Sequence, residues 1–194
     1  MMGFAIQQAL VRSVLEQWEA YEWTVQGFGF ARTKLGGVGR IHIWDQRLAV
    51  PIVSTTHTHP WPLRSTIISG ELVNVRFEVG GEGRPYVRSS IATGEGGGLI
   101  GAAEAVFLRA VSTEFYGTGA SYEQRPEEIH RTVARDGTVT LLERPQGPPL
   151  EKAVVFWPEG TSWVSAEPRA VKHHQLESVI KYALAAWDAN DVSP

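Results

Sequence analysis

The middle of the chain is a succession of short apolar segments separated by glycine and proline, and this pattern limits the fold more than any other feature. Between residues 23 and 165, segments such as "VGRIHIWD", "VNVRFEV" and "TVTLLER" lie a few residues to a dozen apart, with no helical repeat between them. "VNVRFEV" alternates apolar and polar residues, as a half-buried strand does. Several short strands at this spacing predict an all-β sandwich or barrel.

Three glycine- or proline-rich stretches predict the connections between strands. "GGEGRP", residues 80–85, is typical of a hairpin turn, and "RPQGPPLEK", residues 144–152, is too rich in proline for a central strand. "TGEGGGLIG", residues 93–101, lacks the Lys-Ser/Thr pair of a phosphate-binding loop. We interpret it as a surface loop, with a flexible lid as the alternative.

An amphipathic helix is predicted on either side of the β region, which spans about residues 23–165. The N-terminal helix, about residues 4–22, would turn apolar side chains such as Ile6 toward the protein and polar ones such as Gln7 toward solvent. The C-terminal helix, about residues 174–189, carries a similar apolar stripe. An apolar stripe must be covered, so we expect both helices to pack on the β structure within a single domain, residues 1–194.

The composition excludes several classes of function. The net charge is −3 and the pI is about 6.1, which gives no basic field to attract nucleic acid. The chain has no cysteine, so disulfides, thiolate ligands and a cysteine nucleophile are excluded together. Any metal must therefore be bound by His, Asp or Glu. Neither GxSxG nor HExxH occurs, so no motif for a serine nucleophile or a zinc protease is present.

Neither a membrane span nor an export signal is expected. No run of about 18 apolar residues occurs in the sequence. The first 23 residues lack the basic region and the small-residue cleavage site of a signal peptide, and they are better interpreted as part of the fold. We therefore expect a cytoplasmic protein with no membrane partner.

The stretch "HTHPWPLRSTIISGEL", residues 57–72, contains the most distinctive histidine pattern. Side chains two residues apart on a strand point to the same face, so His57 and His59 would lie side by side, as two imidazoles sharing one metal must. An HxH pair is weak evidence by itself. His130, in the strand-like segment that follows an acidic turn in "YEQRPEEIHRT", is the separated third histidine that a three-nitrogen site requires.

These stretches resemble the cupin family. "HTHPWPLRSTIISGEL" is similar to the first cupin motif, which runs from an HxH through a Glu to a Gly at a strand end, and "RPEEIH" falls where the second motif supplies its last His. The resemblance covers roughly residues 38–145. It implies a double-stranded antiparallel β-barrel of jelly-roll type, with one divalent transition metal held inside by His57, His59 and His130. Cupins commonly pair through their outer surfaces, so it also implies a homodimer.

The chain departs from the cupin motif where a metal-binding glutamate is usual, because Leu63 occupies that position. Three histidines without a carboxylate resemble the ligands of the thiol dioxygenases, which are also cupins, and this implies Fe(II) as the favoured metal, with Zn, Ni or Mn as alternatives. Neutral imidazoles would leave the charge of the ion uncompensated and leave coordination positions open for an anion or dioxygen. The same departure also fits a cupin that has lost its metal.

Two further side chains could serve catalysis. Glu128 lies two residues before His130 and would share its face on an extended segment, which suggests a fourth ligand or a general base. It could equally be an exposed turn carboxylate beside Glu127. Tyr122 would point inward by alternation with Gln124, either as a catalytic group or as an ordinary buried tyrosine.

Arg64 and His42 are each open to two interpretations. Arg64 could bind a substrate carboxylate or phosphate in a bidentate manner, although strict alternation turns Leu63 inward and Arg64 outward unless the prolines around Trp61 insert a bulge. His42 alternates with Ile41, and it could either support the metal ligands from inside the fold or face solvent.

The remaining histidines and tryptophans receive no role. His173 and His174 are adjacent in the predicted C-terminal helix, where neighbouring side chains diverge, so they form a poor shared site. Trp44 and Trp61 could line an apolar pocket or simply fill the core.

The sequence supports one principal function and two alternatives. The principal hypothesis is a metal-dependent cupin, an oxygen-dependent dioxygenase acting on a small anionic molecule, with the metal as Lewis acid and dioxygen site. The alternatives are a non-catalytic cupin that senses a small molecule or a metal, and a metal-free sugar isomerase or epimerase that uses a histidine as base. The residues leave these three open.

Overall fold

The computed structural model describes residues 2–49, 55–92, 99–144, 150, 152–161 and 168–191. The chain is mainly β, with 56% of its residues in strands, and it carries a helix at each end as predicted. The helices are α1 (Phe4–Glu16), which a 3₁₀ turn (Trp18–Ala20) follows, and α2 (His173–Asp191). The strands are β1 (Trp23–Val25), β2 (Phe28–Lys34), β3 (Arg40–Ala49), β4 (Thr56–His57), β5 (Leu63–Ser69), β6 (Glu71–Ala92), β7 (Leu99–Gly117), β8 (Ser121–Gln124), β9 (Ile129–Ala134), β10 (Val139–Glu143), β11 (Lys152–Pro158) and β12 (Arg169–Ala170).

Helix α1 is shorter than the predicted span of residues 4–22, and it buries a different face. It ends at Glu16, because Gln17 leaves the helical conformation with φ −109° and ψ 28°. Ile6, expected inside, is 61% exposed, whereas Gln7, expected in solvent, is buried. The side-chain amide of Gln7 donates a hydrogen bond to Oε2 of Glu143 at 3.3 Å, which compensates for its burial. The expected orientation of this helix was therefore wrong for its first turn.

The strands form two antiparallel sheets that pack face to face. The first sheet has the order β12-β1-β2-β3-β10-β5-β8, and the second has the order β11-β4-β9-β6-β7. A core between them contains Phe30, Trp44, Ile67 and Tyr122 from the first sheet, with Leu72 and Ala134 from the second. This core lies in the space between the two sheets, the interior of the fold.

The opposite face of the first sheet is covered by the two helices. Their apolar stripes pack on this face to form the largest core, which includes Val11, Val14, Leu15, Ile41, Ile43, Ile68, Val139, Leu141, Leu176, Val179, Ile180 and Trp187. Because strand residues alternate in direction, Ile41 and Ile43 face the helices, while His42 and Trp44 face the interior. No helix among the described residues is long and apolar enough to cross a membrane.

The chain passes from the first sheet to the second at Gly70. Strand β5 ends at Ser69 and β6 begins at Glu71, so a single residue separates them. Gly70 has φ +89°, and a Cβ at this position would lie 2.9 Å from Cα of Thr138. Only glycine meets both demands without strain. Gly70, the glycine of the cupin-like motif, is thus the residue at which the chain passes from one sheet to the other.

Strand β6 runs through the stretch that was predicted to be a hairpin turn. Residues 80–85 continue the strand as a wide bulge, in which Val79 and Arg84 both lie opposite Leu108 of β7. A Cβ on Gly83 would lie 2.4 Å from the carbonyl carbon of Leu108. Glycine therefore allows a close backbone approach here rather than a chain reversal, and the turn prediction was wrong. Of the other predicted connections, residues 93–98, 145–149 and 151 lie outside the described part of the chain.

Four strands of the second sheet pair in a closed cycle. The first half of β6 pairs with β9, and its second half pairs with β11. Strand β11 also pairs with β4, and β4 pairs with β9. Strand β4 is only two residues long, so its position is fixed by neighbours on both sides.

Candidate metal centre

The structure brings three histidines together on the second sheet. His57 ends β4 and lies directly opposite His130 of β9, and His59 follows two residues later. The ring centroid of His57 is 4.7 Å from that of His59 and 4.8 Å from that of His130, and the centroids of His59 and His130 are 5.0 Å apart. One nitrogen from each ring lies within 4.8 Å of the other two. Three histidines in this arrangement could hold a metal ion.

The closest pair of nitrogens has the spacing of two ligands on one ion. Nε2 of His59 and Nε2 of His130 are 2.9 Å apart. Two imidazole nitrogens that bind a metal at about 2.1 Å and at a right angle to each other are about 3 Å apart. Ligands of one such ion cannot be more than about 4.2 Å apart. The third nitrogen would therefore have to move closer to the other two for all three to bind one ion.

Hydrogen bonds on the far side of two rings set which nitrogen faces the centre. Nδ1 of His57 donates to the backbone carbonyl of Thr55 at 2.9 Å, and Nδ1 of His130 donates to Oδ1 of Asn74 at 2.8 Å. Each acceptor fixes the proton on Nδ1, so Nε2 of each ring is unprotonated, and Nε2 of His130 accepts a hydrogen bond from Nε2 of His59. This is the tautomer that a metal ligand needs.

Removal from solvent favours the neutral form of the three imidazoles, of which His130 is buried and His57 and His59 are half-buried. Removal from solvent lowers the pKa of His59 and of His130 well below the usual value, and that of His57 is lowered for the same reason. Repulsion from a neighbouring histidine, when that ring is protonated, lowers the pKa values of His59 and His130 further. The charge of Arg40 does the same for His59, and that of Arg76 for His130. The neutral ring is the form that binds a metal.

The carboxylate that cupins usually supply is absent from this cluster. Leu63 is 4% exposed and lies opposite Gln124, on the side of β5 that faces the interior. Among the described residues, the group that could hold a metal consists of the three histidines without an acidic member. The donor set is thus three imidazole nitrogens.

Glu128 is held by an arginine rather than by the cluster. Its Oε2 accepts a hydrogen bond from Nη1 of Arg76 at 2.6 Å and another from the backbone N–H of Arg125 at 2.8 Å. Arg76 also reaches Glu114, with Nε to Oε2 at 3.2 Å. The role of Glu128 as a fourth ligand or a base stays a prediction.

Tyr122 and Arg64 lie on opposite faces of the first sheet. Tyr122 is buried in the interior, where its hydroxyl bonds to Ser65 and Thr132, and burial is the main cause that raises its pKa. Arg64 alternates with the buried Leu63 and points to the other face, with Nη2 donating to Oγ of Ser121 at 3.2 Å. The bulge that would have turned Arg64 inward does not occur in β5 at this position, since the register from Leu63 onward is continuous with β8.

His42 lies inside the fold, which was one of the two positions considered for it. It is 7% exposed, and its ring stacks on Phe30 with centroids 4.3 Å apart. Burial lowers its pKa well below the usual value, and the charges of Arg32 and Arg40 lower it further. Nε2 of His42 is buried and has no hydrogen-bond partner among the described residues.

Asn74 is a functional candidate that the sequence interpretation missed. The alternation in "VNVRFEV" gave no signal, because Asn74 shares its phase with Arg76 and Glu78, whereas the apolar phase is that of Val73 and Val75. Asn74 is nevertheless fully buried, and a buried amide requires a partner, which here is the third histidine. The other two histidines, His173 and His174, are exposed at the start of α2.

Comparison with models of known protein families and with curated protein sequences finds no significant match for this chain. The mainly β fold and the three-histidine cluster are compatible with a cupin.

Proposed function

We propose that this chain is a cupin-like metalloprotein that binds one divalent transition metal through His57, His59 and His130, and that it catalyses an oxygen-dependent oxidation of a small anionic molecule. The observation that carries the proposal is the convergence of three neutral imidazoles, two of them with Nε2 left unprotonated by hydrogen bonds on Nδ1. Nitrogens of all three rings lie within 4.8 Å of one another, and the ligands of a single ion must come close together in this way.

The donor set suits a first-row transition metal. Imidazole nitrogens favour Fe, Zn, Ni and Cu over the hard ions Mg²⁺ and Ca²⁺. A divalent metal at this position would supply Lewis-acid and redox chemistry, since three neutral ligands leave its charge uncompensated and its remaining coordination positions open. Fe(II) is the favoured ion because that set resembles the three-histidine thiol dioxygenases.

The interior offers polar groups that a small ligand would satisfy. Nε2 of His42, Nδ2 of Asn74 and Oε1 of Gln124 are buried without hydrogen-bond partners among the described residues. Unpaired buried polar atoms are rare in folded proteins because each costs roughly 1–3 kcal/mol. All three belong to strands that line the interior. They favour a small polar molecule there over an apolar one.

The test begins with the metal. The protein is purified without a nickel column, its metals are measured by elemental analysis, and oxygen uptake is followed with a panel of thiols and carboxylates. Stoichiometric iron together with oxygen uptake supports the proposal. Protein that contains no metal and cannot be loaded with Fe(II), Zn²⁺, Ni²⁺ or Mn²⁺ contradicts it, and sugar isomerisation would then be assayed.

A non-catalytic sensor is the second candidate, and one contact favours it. Glu128, the carboxylate nearest in sequence to a metal ligand, is bonded to Arg76 at 2.6 Å. A carboxylate already engaged with a guanidinium is less available to accept a proton from a substrate. Bound metal in the absence of turnover, accompanied by a conformational response to the metal, would favour this second function.

A further inference from the structure

Two guanidinium groups lie over the ring of Trp61, which follows the metal-cluster residue His59 by two positions. Cζ of Arg40 is 5.4 Å from the ring centroid, and Cζ of Arg144 is 5.0 Å from it. Arg40 begins β3, and Arg144 comes directly after β10, its hydrogen-bonded neighbour. Both distances are those of cation–π contacts, so Trp61 holds two planar hydrogen-bond donors near each other.

A third arginine extends this cluster, and none of the three has a carboxylate partner among the described residues. Arg32 donates only to neutral groups, Oγ1 of Thr24 at 3.2 Å and Oε1 of Gln26 at 2.7 Å. Arg40 and Arg144 take part in no ion pair with a described residue. Burial and, to a lesser extent, the charge of Arg40 lower the pKa of Arg32 to about 10, and burial and the charge of Arg144 lower that of Arg40.

Like charges that are partly buried without a counter-charge are unfavourable in isolation. Several other arginines of this chain are paired, such as Arg47 with Asp45 and Arg76 with Glu114 and Glu128. Arg32, Arg40 and Arg144 have no such carboxylate partner among the described residues. An excess of positive charge at the wall of a binding site is the usual feature of a site that receives an anion.

The cluster is continuous with the interior. Arg40 and His42 are two residues apart on β3 and share a face, and Arg32 of β2 is the residue directly opposite His42. His42 is more than nine-tenths buried, and its Nε2 lacks a partner among the described residues. Arginine and histidine donors therefore extend from Trp61 into the interior.

We propose that Arg40 and Arg144, stacked on Trp61, form with His42 an oxyanion subsite that binds the carboxylate or phosphate group of the substrate. This assignment rests on the proposed function in one respect, which is that the reacting end of the same molecule lies at His57, His59 and His130. It places the recognition of the anion on β3 and on the residue that follows β10, instead of on Arg64. A guanidinium binds either oxyanion through two parallel hydrogen bonds.

The experiment measures anion binding separately from metal binding. Protein freed of metal by a chelator is titrated by calorimetry at low ionic strength with succinate, with inorganic phosphate and with neutral succinamide. The same titrations are made on Arg40→Gln, on Arg144→Gln and on the control Arg109→Gln. Arg109 is an exposed arginine of the second sheet that pairs with Glu78 at 3.4 Å. Arg144 is exposed, so its replacement should leave folding intact even if that of Arg40 does not.

The expected result is that succinate or phosphate binds the wild type and that succinamide does not. Each of the two variants should weaken that binding roughly tenfold or more, the factor expected when a charge-assisted hydrogen bond is lost, while Arg109→Gln leaves it unchanged. The anion that binds more tightly identifies the class of substrate. Failure of both anions to bind at millimolar concentration would overturn the subsite, as would unchanged binding in Arg144→Gln.

Measuring the metal content distinguishes a failure of the subsite from a failure of the proposed function. The two arginine variants should retain the metal content of the wild type, and His57→Ala should lose metal but still bind the anion. Protein that never takes up metal, yet binds an anion through Arg40 and Arg144, would refute the metal proposal and leave the subsite standing. Protein that binds metal, and whose affinity for the anion is the same in the wild type and in both arginine variants, would refute the subsite alone.

Discussion

The Nδ1–H of His130 donates a hydrogen bond to Oδ1 of Asn74, 2.8 Å away on the neighbouring strand β6. Both residues are buried. Asn74 thus orients the imidazole from behind and sets its tautomer, although its own side chain takes no place among the three ligands.

Replacing Asn74 by Leu should weaken metal binding by about 10- to 100-fold, because the His130 ring would lose the acceptor that fixes its proton on Nδ1. Asn74→Asp keeps an acceptor and should preserve or strengthen binding. Affinity is measured by competition with a chelating dye. The control is Ser89→Ala, a buried β6 position whose hydroxyl has no partner among the described residues. Equal affinities for Asn74→Leu and Ser89→Ala would exclude this role.

Replacing His57, His59 or His130 by Ala should each remove the metal, because two imidazoles at an open site hold an ion poorly against buffer. Replacing His42, His173 or His174 by Ala should leave the metal content unchanged. The measurement is elemental analysis of folded protein after dialysis. Full occupancy in His130→Ala would show that the three-histidine centre is assigned wrongly.

The substitution Leu63→Glu restores the residue that a typical cupin carries at this position. Leu63 is buried on the interior side of β5, so a carboxylate there could add a ligand and neutralise charge. Metal retention should hold or rise, while any activity that needs an open coordination position should fall. Both are measured on the same preparation. An inert variant, with neither quantity changed, would mean that the side chain does not reach the metal.

The metal-free protein should lose stability as the pH falls, in part because of His42. Burial and the charges of Arg32 and Arg40 lower the pKa of His42 well below 6.5, and His42 in turn lowers the pKa of His59. Below pH 6.5 the unfolded chain therefore binds more protons than the folded one, so the free energy of unfolding decreases toward acid. His42→Gln should reduce this slope by up to about 1.4 kcal/mol per pH unit, the value for one proton.

Urea unfolding at a series of pH values measures that slope. Phe30→Leu provides the control, since it removes the ring stacked on His42 without removing a titrating group. It should lower stability by a similar amount at every pH. A slope that is the same in His42→Gln and in the wild type would contradict the buried, neutral state of this histidine.

The homodimer expected from the sequence has to form through a surface other than the helix stripes. Those stripes are already covered, because Val14 of α1 and Ile180 of α2 belong to the core on the first sheet. We still expect a homodimer, and sedimentation at micromolar concentration measures it. A single species near 21.4 kDa would show that the chain is a monomer.

The sequence predicted the parts of this structure that depend on local pattern. Two-residue alternation placed His57 beside His59 and turned Leu63 inward, because the direction of a strand side chain depends only on its position. Helical periodicity located α2 within two residues at either end. The same periodicity misplaced the first turn of α1, since the partner that makes the burial of Gln7 possible, Glu143, is 136 residues away.

Other features that the sequence did not reveal also depend on contacts between distant segments. Glycines at 80–83 suggest a turn in isolation, and only the close approach of Leu108 shows that they form a bulge. The pairing of Glu128 with Arg76 could not be read from either segment alone. Arg40 and Arg144 of the proposed oxyanion subsite are distant in the chain and come together because β10 pairs with β3.

In the closed cycle of β6, β9, β4 and β11, the short strand β4 depends on its two neighbours to stay in place. Strand β4 contributes two residues and cannot persist alone, yet it carries His57 between two longer partners. An ion shared by His57 and His130 would join β4 to β9 by a second link, parallel to their backbone pairing. Loss of the ion and opening of this part of the sheet would then be a single cooperative event. A bound ion would therefore stabilise the pairing of these strands in addition to any chemical role.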